Sequence, residues 1–251
     1  MTDDIADRAR RRTRKVLATA VAVIVTLVAV VVGLTAGLGH RGDQVPQPAA
    51  LPTTGPAVDA APGRGADHPT PIRDVTFMTV NGMRVPVSRP AGPRDTTAGR
   101  ARGFSHDPGG AVFAAMHLVL RVAPVIGPAV FGPTLREQVV GGDAAAFRDQ
   151  VEADYERMRQ QHDLSYGAPI GHFASTLLGY RVDSYTPSLV ALRLLVEGPD
   201  PDGGPVTVAV VIEVRWVDGD WALVAPPAGD WEHAVSVASS STGFTPLPRE
   251  R

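Results

Sequence analysis

The chain reads as an α+β protein, with helices first, a run of strands after, and an apolar span and proline-rich stretch ahead of both. Three observations carry this reading. Residues 16–38 hold no charge, apolar side chains recur at helical spacing between 108 and 161, and the period drops to two from about 173 onward. Helices followed by strands, without βαβ alternation, point to helices laid on one face of an antiparallel sheet.

Val16–Leu38 reads VLATAVAVIVTLVAVVVGLTAGL. As a helix rising about 1.5 Å per residue it would cover roughly 34 Å, enough for a hydrocarbon core of about 30 Å. Arg8, Arg10, Arg11, Arg12, Arg14 and Lys15 precede it, whereas only His40 and Arg41 follow closely. That asymmetry predicts a cytoplasmic stub over 1–15, a membrane anchor over 16–38 and an extracytoplasmic remainder, with the basic cluster facing anionic lipid headgroups. A cleaved signal peptide would have a shorter apolar core and a small-residue cleavage site, which Gly37-Leu38-Gly39 imitates poorly. Gly33 and Gly37 have the spacing of a helix-dimer motif, though at the outer end of the span.

Seven prolines fall within 40–74 among Gly, Ala and Thr, so residues 39–74 are expected to be a disordered linker. Val75–Ser88 then shows two β-rich runs about Asn81-Gly82, the chemistry of a tight hairpin, with linker again up to 103. The folded outer domain is expected over 104–235. Asp107 and Pro108 open its first helix, whose apolar face is Val112, Phe113, Met116, Val119 and Leu120. A short helix is expected from Thr134 to Val140 and a long one over 144–161 behind Asp143. In the long helix Phe147, Val151, Tyr155 and Met158 form one stripe, and Arg148–Glu152 and Asp154–Arg157 a solvated face.

Strands are expected at about 173–184, 188–197, 205–216 and 221–225. Asp218-Gly219 turns the last two, setting Trp216 opposite Trp221. Residues 236–251 read as a flexible tail. Three helices and four strands suggest a cystatin-like or nuclear-transport-factor-two-like cone, three helices packed on a curved antiparallel sheet.

Chemistry is sparse. There is no cysteine, which excludes disulfides and thiolate metal sites. The seven histidines show no i, i+4 pair, and no hydrolase, zinc-protease or nucleotide-loop motif is present. His117 and His106 read as a structural and a loop histidine. Positions 1–15 hold six basic and three acidic residues, leaving 18 basic against 23 acidic beyond them, which argues against direct nucleic-acid binding. In the third strand the even row from Val206 to Trp216 is apolar, so the face toward the helices offers no acid or base there. Tyr180 and Ser184 of the first strand are the polar candidates for that face. No catalytic, cofactor or metal site is expected. The outward row carries Leu189, Leu195 and Val211, a candidate interface.

Several phrases carry a resemblance. They are Arg102-Gly103-Phe104-Ser105-His106 with Pro108, Gly110 and Ala111, then Gly127-Pro128-Ala129-Val130-Phe131. Asp218-Gly219-Asp220-Trp221 follows, with Ala225-Pro226-Pro227 and Gly229-Asp230-Trp231. Together they resemble a family of actinobacterial membrane-anchored proteins carried on integrative and conjugative elements, similar in layout to scaffold subunits of type IV secretion machines. The resemblance implies a non-enzymatic conjugation scaffold that contacts copies of itself or other transfer-apparatus proteins. The alternative is a small-molecule or lipid-binding accessory protein of a lipid importer. That alternative predicts an open apolar pocket between sheet and helices. A core filled by Phe113, Met116, Tyr155 and the Trp216–Trp221 pair would exclude it.

Overall fold

Residues 72, 74–171, 175–199 and 204–248 are described by the computed structural model. The expected anchor Val16–Leu38, the basic stub before it and nearly all of the proline-rich linker lie outside these residues. Among the described residues no helix is long and apolar enough to cross a membrane.

The chain enters through a hairpin, β1 (Val75–Val80) and β2 (Met83–Ser88), which forms a two-stranded sheet of its own. Asn81 and Gly82 both have positive φ (45° and 84°), the signature of a type I′ turn matched to strand twist. Isolated hairpins are marginal in water, and this one is tied down at both ends. Asn81 Nδ2 donates to the Ile126 carbonyl (2.7 Å), and His117 Nε2 donates to the Pro86 carbonyl (2.9 Å). The following segment, read as linker, is docked as well. Ala91 and Ala101 are buried, and Gln138 Nε2 donates to the Ala101 carbonyl (2.6 Å).

Helix α1 (Pro108–Arg121) starts where Asp107 accepts a hydrogen bond from the Gly110 amide (2.8 Å), one of the orphan donors of a first turn. The second helix differs from expectation. α2 runs over Pro128–Glu137, not from Thr134 to Val140, because Pro128 already supplies a first-turn φ. Pro133 sits inside it, and the Thr134 hydroxyl donates to the Val130 carbonyl (2.9 Å). Val139–Val140 becomes β3. Helix α3 (Ala144–Gln161) buries Phe147, Val151, Tyr155 and Met158 as one stripe, although the Asp143 side chain makes no capping bond. Its outer face is not wholly solvated: Asp154 is buried, bonded to Gln150 Nε2 (3.1 Å) and ion-paired with Arg157.

The large sheet has β4 (Thr176–Tyr185), β5 (Leu189–Pro199), β6 (Pro205–Val217), β7 (Asp220–Val224), β8 (Val235–Val237) and β9 (Thr245–Pro246). Its order is β3-β7-β6-β5-β4-β9, with β8 also on β6. This corrects the expected cone with a wholly antiparallel sheet, because β3 pairs with β7 in parallel and the sheet is mixed. The β6–β7 hairpin leaves one edge of β7 with unpaired amides and carbonyls. Residues 138–140 satisfy it, the Leu223 amide donating to the Gln138 carbonyl (2.9 Å) and that of Ala225 to Val140 (2.8 Å).

The segment read as a flexible tail also enters the sheet. β8 pairs with β6 and β9 with β4, so residues 238–244 must cross from one edge to the other. The Arg181 guanidinium lies 5.4 Å from the Phe244 ring centroid, placing the crossing on the face away from the helices. Leu195, expected as an exposed interface residue, is 1% exposed on that face; Leu189 is half-buried and Val211 is 37% exposed.

Candidate functional site

Two ends of the helix–sheet interface differ in side-chain size. At one end Trp221 is fully buried, edge-on to Trp216 (5.2 Å) and bonded through Nε1 to the Ser105 carbonyl (2.9 Å). His106 stacks flat on Trp216 (3.9 Å, 8°), and its Nε2 donates to the Pro187 carbonyl (2.5 Å). Phe131 meets Tyr155 edge-on (5.4 Å), and Phe147 meets Trp231 (5.6 Å). Phe104, Pro108, Gly110, Ala111, Pro128, Phe131 and Trp231 thus all serve packing or capping here, with the Asp218-Gly219 turn and Pro226-Pro227 joining the elements.

At the other end the same interface is hollow. A cavity of about 600 Å³ opens under α1, within the usual range for small-molecule sites. From α1 come Met116, Val119 and Leu120, at i, i+3 and i+4, a single stripe that Ala123 continues just past the helix end. From the sheet come Leu194, Val196 and Gly198 of β5, paired directly with Val210, Val208 and Val206 of β6. Opposed residues share a face, so these six make one aliphatic floor. The hairpin supplies Phe77 and residues 82–86, and Leu247 closes the side beyond β4, its amide bonded to the Leu178 carbonyl (3.0 Å). The cavity persists because its floor is valine and glycine where the filled end has aromatic rings. Met116 is buried in the core together with Phe113, Tyr155 and Trp221, as expected, and also lines the cavity.

The polar candidates of β4 part company. Two register shifts interrupt its pairing with β5. The second sets Ser184 opposite Ala191, in the outward row, where it is exposed. Tyr180 stays opposite Leu194, facing inward, and burial raises its phenol above the ordinary value. It does not line the cavity.

His117 and Arg121 form an i, i+4 basic pair on α1 that sequence reasoning passed over. Arg121 is 2% exposed, no carboxylate pairs with it among the described residues, and its Nη1 donates to the Gly99 carbonyl (3.1 Å). Burial lowers it to about 10. Neither residue lines the cavity; His117 faces the Pro86 carbonyl of β2 and the Phe104 ring, and Arg121 the Gly99 carbonyl. The His117 ring is lowered to about 3, chiefly by burial and further by Arg121, against the opposing bond to Pro86. Its native pKa lies below the unfolded value, so its contribution is complete above about pH 6.5 and falls with pH toward 3. Between pH 7 and 5 this ring should remove about 2 kcal/mol of stability. Denaturant midpoints at the two pH values measure it, and equal midpoints would mean a charged ring in the native state. Asp95, Glu137 and Glu156 are each held below their ordinary values by hydrogen bonds, and so act at lower pH.

The family model described as a domain of unknown function (DUF8175) matches residues 41–246. The chain belongs to the DUF8175 family. No curated protein and no solved structure matches it. The DUF8175 match takes in the hairpin, all three helices and every strand of the large sheet, so the packed end and all of the cavity lining except Leu247 and Pro248 lie inside one family unit. The family description names no activity, ligand or partner.

Proposed function

We propose that the domain is a non-enzymatic binding module whose cavity under α1 takes an alkyl chain or similarly apolar small molecule. The observation carrying this is the aliphatic floor of Leu194, Val196, Val206, Val208 and Val210 facing the Met116–Ala123 stripe across about 600 Å³. Such walls reward buried hydrocarbon and leave a ligand's polar atoms without partners. Of the two readings open from the sequence, this geometry favours the lipid-binding alternative.

The test is titration of the full-length chain with saturated methyl esters of increasing length, against Val208→Phe. The wild-type chain should bind one ester per molecule. The variant, with a ring projecting from the floor, should lose binding at least tenfold while keeping its melting temperature, since the ring fills space already present. Equal binding by both proteins would remove the pocket from consideration.

The scaffold reading is a second proposal, supported by the outward sheet face, where Val211 (37% exposed) stands in solvent beside the half-buried Leu189. Packing of the 238–244 crossing over that face leaves it less apolar surface than Leu189, Leu195 and Val211 together would offer.

A further inference from the structure

We infer that β1 is a pairing edge for a second copy of this chain, the two β1 strands running antiparallel about a two-fold axis at Phe77. The large sheet ends in the two-residue strands β3 and β9, the latter holding Pro246, and edges so short resist further pairing. The outer edge of β2 is occupied. Pro86 has no amide, its carbonyl receives His117 Nε2, and Ser88 and Gly92 exchange backbone bonds (3.1 and 2.8 Å). β1 differs. Val80 and Met83 flank a two-residue turn, so the hydrogen-bonded pairs of the hairpin are Val80–Met83, Met78–Val85 and Thr76–Val87. The amides and carbonyls of Val75, Phe77 and Thr79 therefore point away from β2, and among the described residues no backbone bond reaches them. The strand reads VTFMTV, without the charge, proline or bulge that keeps strand edges apart.

The chain ahead of β1 is a poor source of the missing strand. Between Pro46 and Pro71 its longest proline-free run, 63–68, is GRGADH, with no β-branched or aromatic residue. A second β1 fits, because the free groups are symmetric about Phe77. Phe77 then meets the partner's Phe77, and Val75 the partner's Thr79, each pair exchanging both of its backbone bonds. Neither strand carries a charge, so no like charges meet across the pairing. The contact is independent of what the cavity holds.

The experiment is sedimentation equilibrium of the full-length chain and of Thr79→Pro. Wild type should show a monomer–dimer equilibrium. Thr79→Pro removes an amide that points away from β2, so it should keep its melting temperature and weaken dimerisation about tenfold or more. The sequence has no cysteine, so introduced thiols report the register directly. An oxidised equal mixture of Val75→Cys and Thr79→Cys chains should form a disulfide-linked dimer, the two Cα atoms standing about 5.5 Å apart in a hydrogen-bonded pair. Either variant alone should not, since like residues lie four positions apart along the paired strands, roughly 13 Å. A wild-type chain that stays monomeric up to about 1 mM overturns the proposal. So does a dimer that Thr79→Pro leaves intact, or one in which mixing the two cysteine variants gives no more cross-linking than either alone.

Discussion

Trp221→Ala should lower the melting temperature by about 8–16 °C, from a loss of about 4 kcal/mol in a chain of this size. Trp221 is 1% exposed and among the largest of the fully buried side chains. Truncation empties a ring-sized volume between α1 and β6–β7 and removes the Nε1 donor that satisfies the Ser105 carbonyl (2.9 Å). It also leaves Trp216 and His106 without the edge-on ring that each contacts. Trp221→Phe keeps much of the volume and loses the donor, so it should cost about a third as much, on the order of 1–1.5 kcal/mol. Thermal denaturation of the three proteins checks the order. A Trp221→Ala protein melting within two degrees of wild type would show that this end of the domain is not packed as described.

Gly110→Ala should destabilise by about 3 kcal/mol, opposite in sign to what helix propensity alone would give. A glycine inside a helix ordinarily gains stability on replacement by alanine. Here a Cβ would stand 1.9 Å from the Ser105 carbonyl oxygen, backbone that has little freedom to retreat. That same oxygen receives Trp221 Nε1, so moving it away breaks the bond anchoring the tryptophan. Gly109→Ala, one residue earlier, meets the capping Asp107 Oδ1 at 3.2 Å, which has to give by only a few tenths of an ångström, and is the milder comparison. Denaturant unfolding of both variants should show the loss at 110 and little change at 109. Equal stabilities would contradict the close approach of α1 to the 105 loop.

Much of the architecture was legible because it rests on local chemistry. Asp107-Pro108, Asn81-Gly82 and Asp218-Gly219 fix a helix start and two turns within a few residues, and the Trp216–Trp221 pairing follows from the second turn by counting. What escaped depends on the third dimension. Nothing in Val139–Val140 says strand; the open edge of β7 makes it one. Residues 235–246 lack periodicity because their two short strands are added to edges at opposite sides of the sheet. Ser184 was placed by parity, which a bulge in β4 reverses.

The cavity was half-visible. Its floor is the apolar even row of β6 and its roof the Met116–Leu120 stripe, both plain in the sequence. Whether such faces meet or stand apart depends on where the large rings gather; Trp216 and Trp221 gather with His106 at the filled end, whereas Phe77 of the hairpin is the one aromatic ring among the described residues lining the cavity.

The most direct measurement of the central claim is the affinity of the full-length chain for the methyl ester series, plotted against chain length. If hydrocarbon is what the cavity under α1 holds, dissociation constants should fall about fourfold per added methylene, about 0.8 kcal/mol each, until the cavity is full. A flat dependence on chain length, or no saturable binding at any length, would contradict the account.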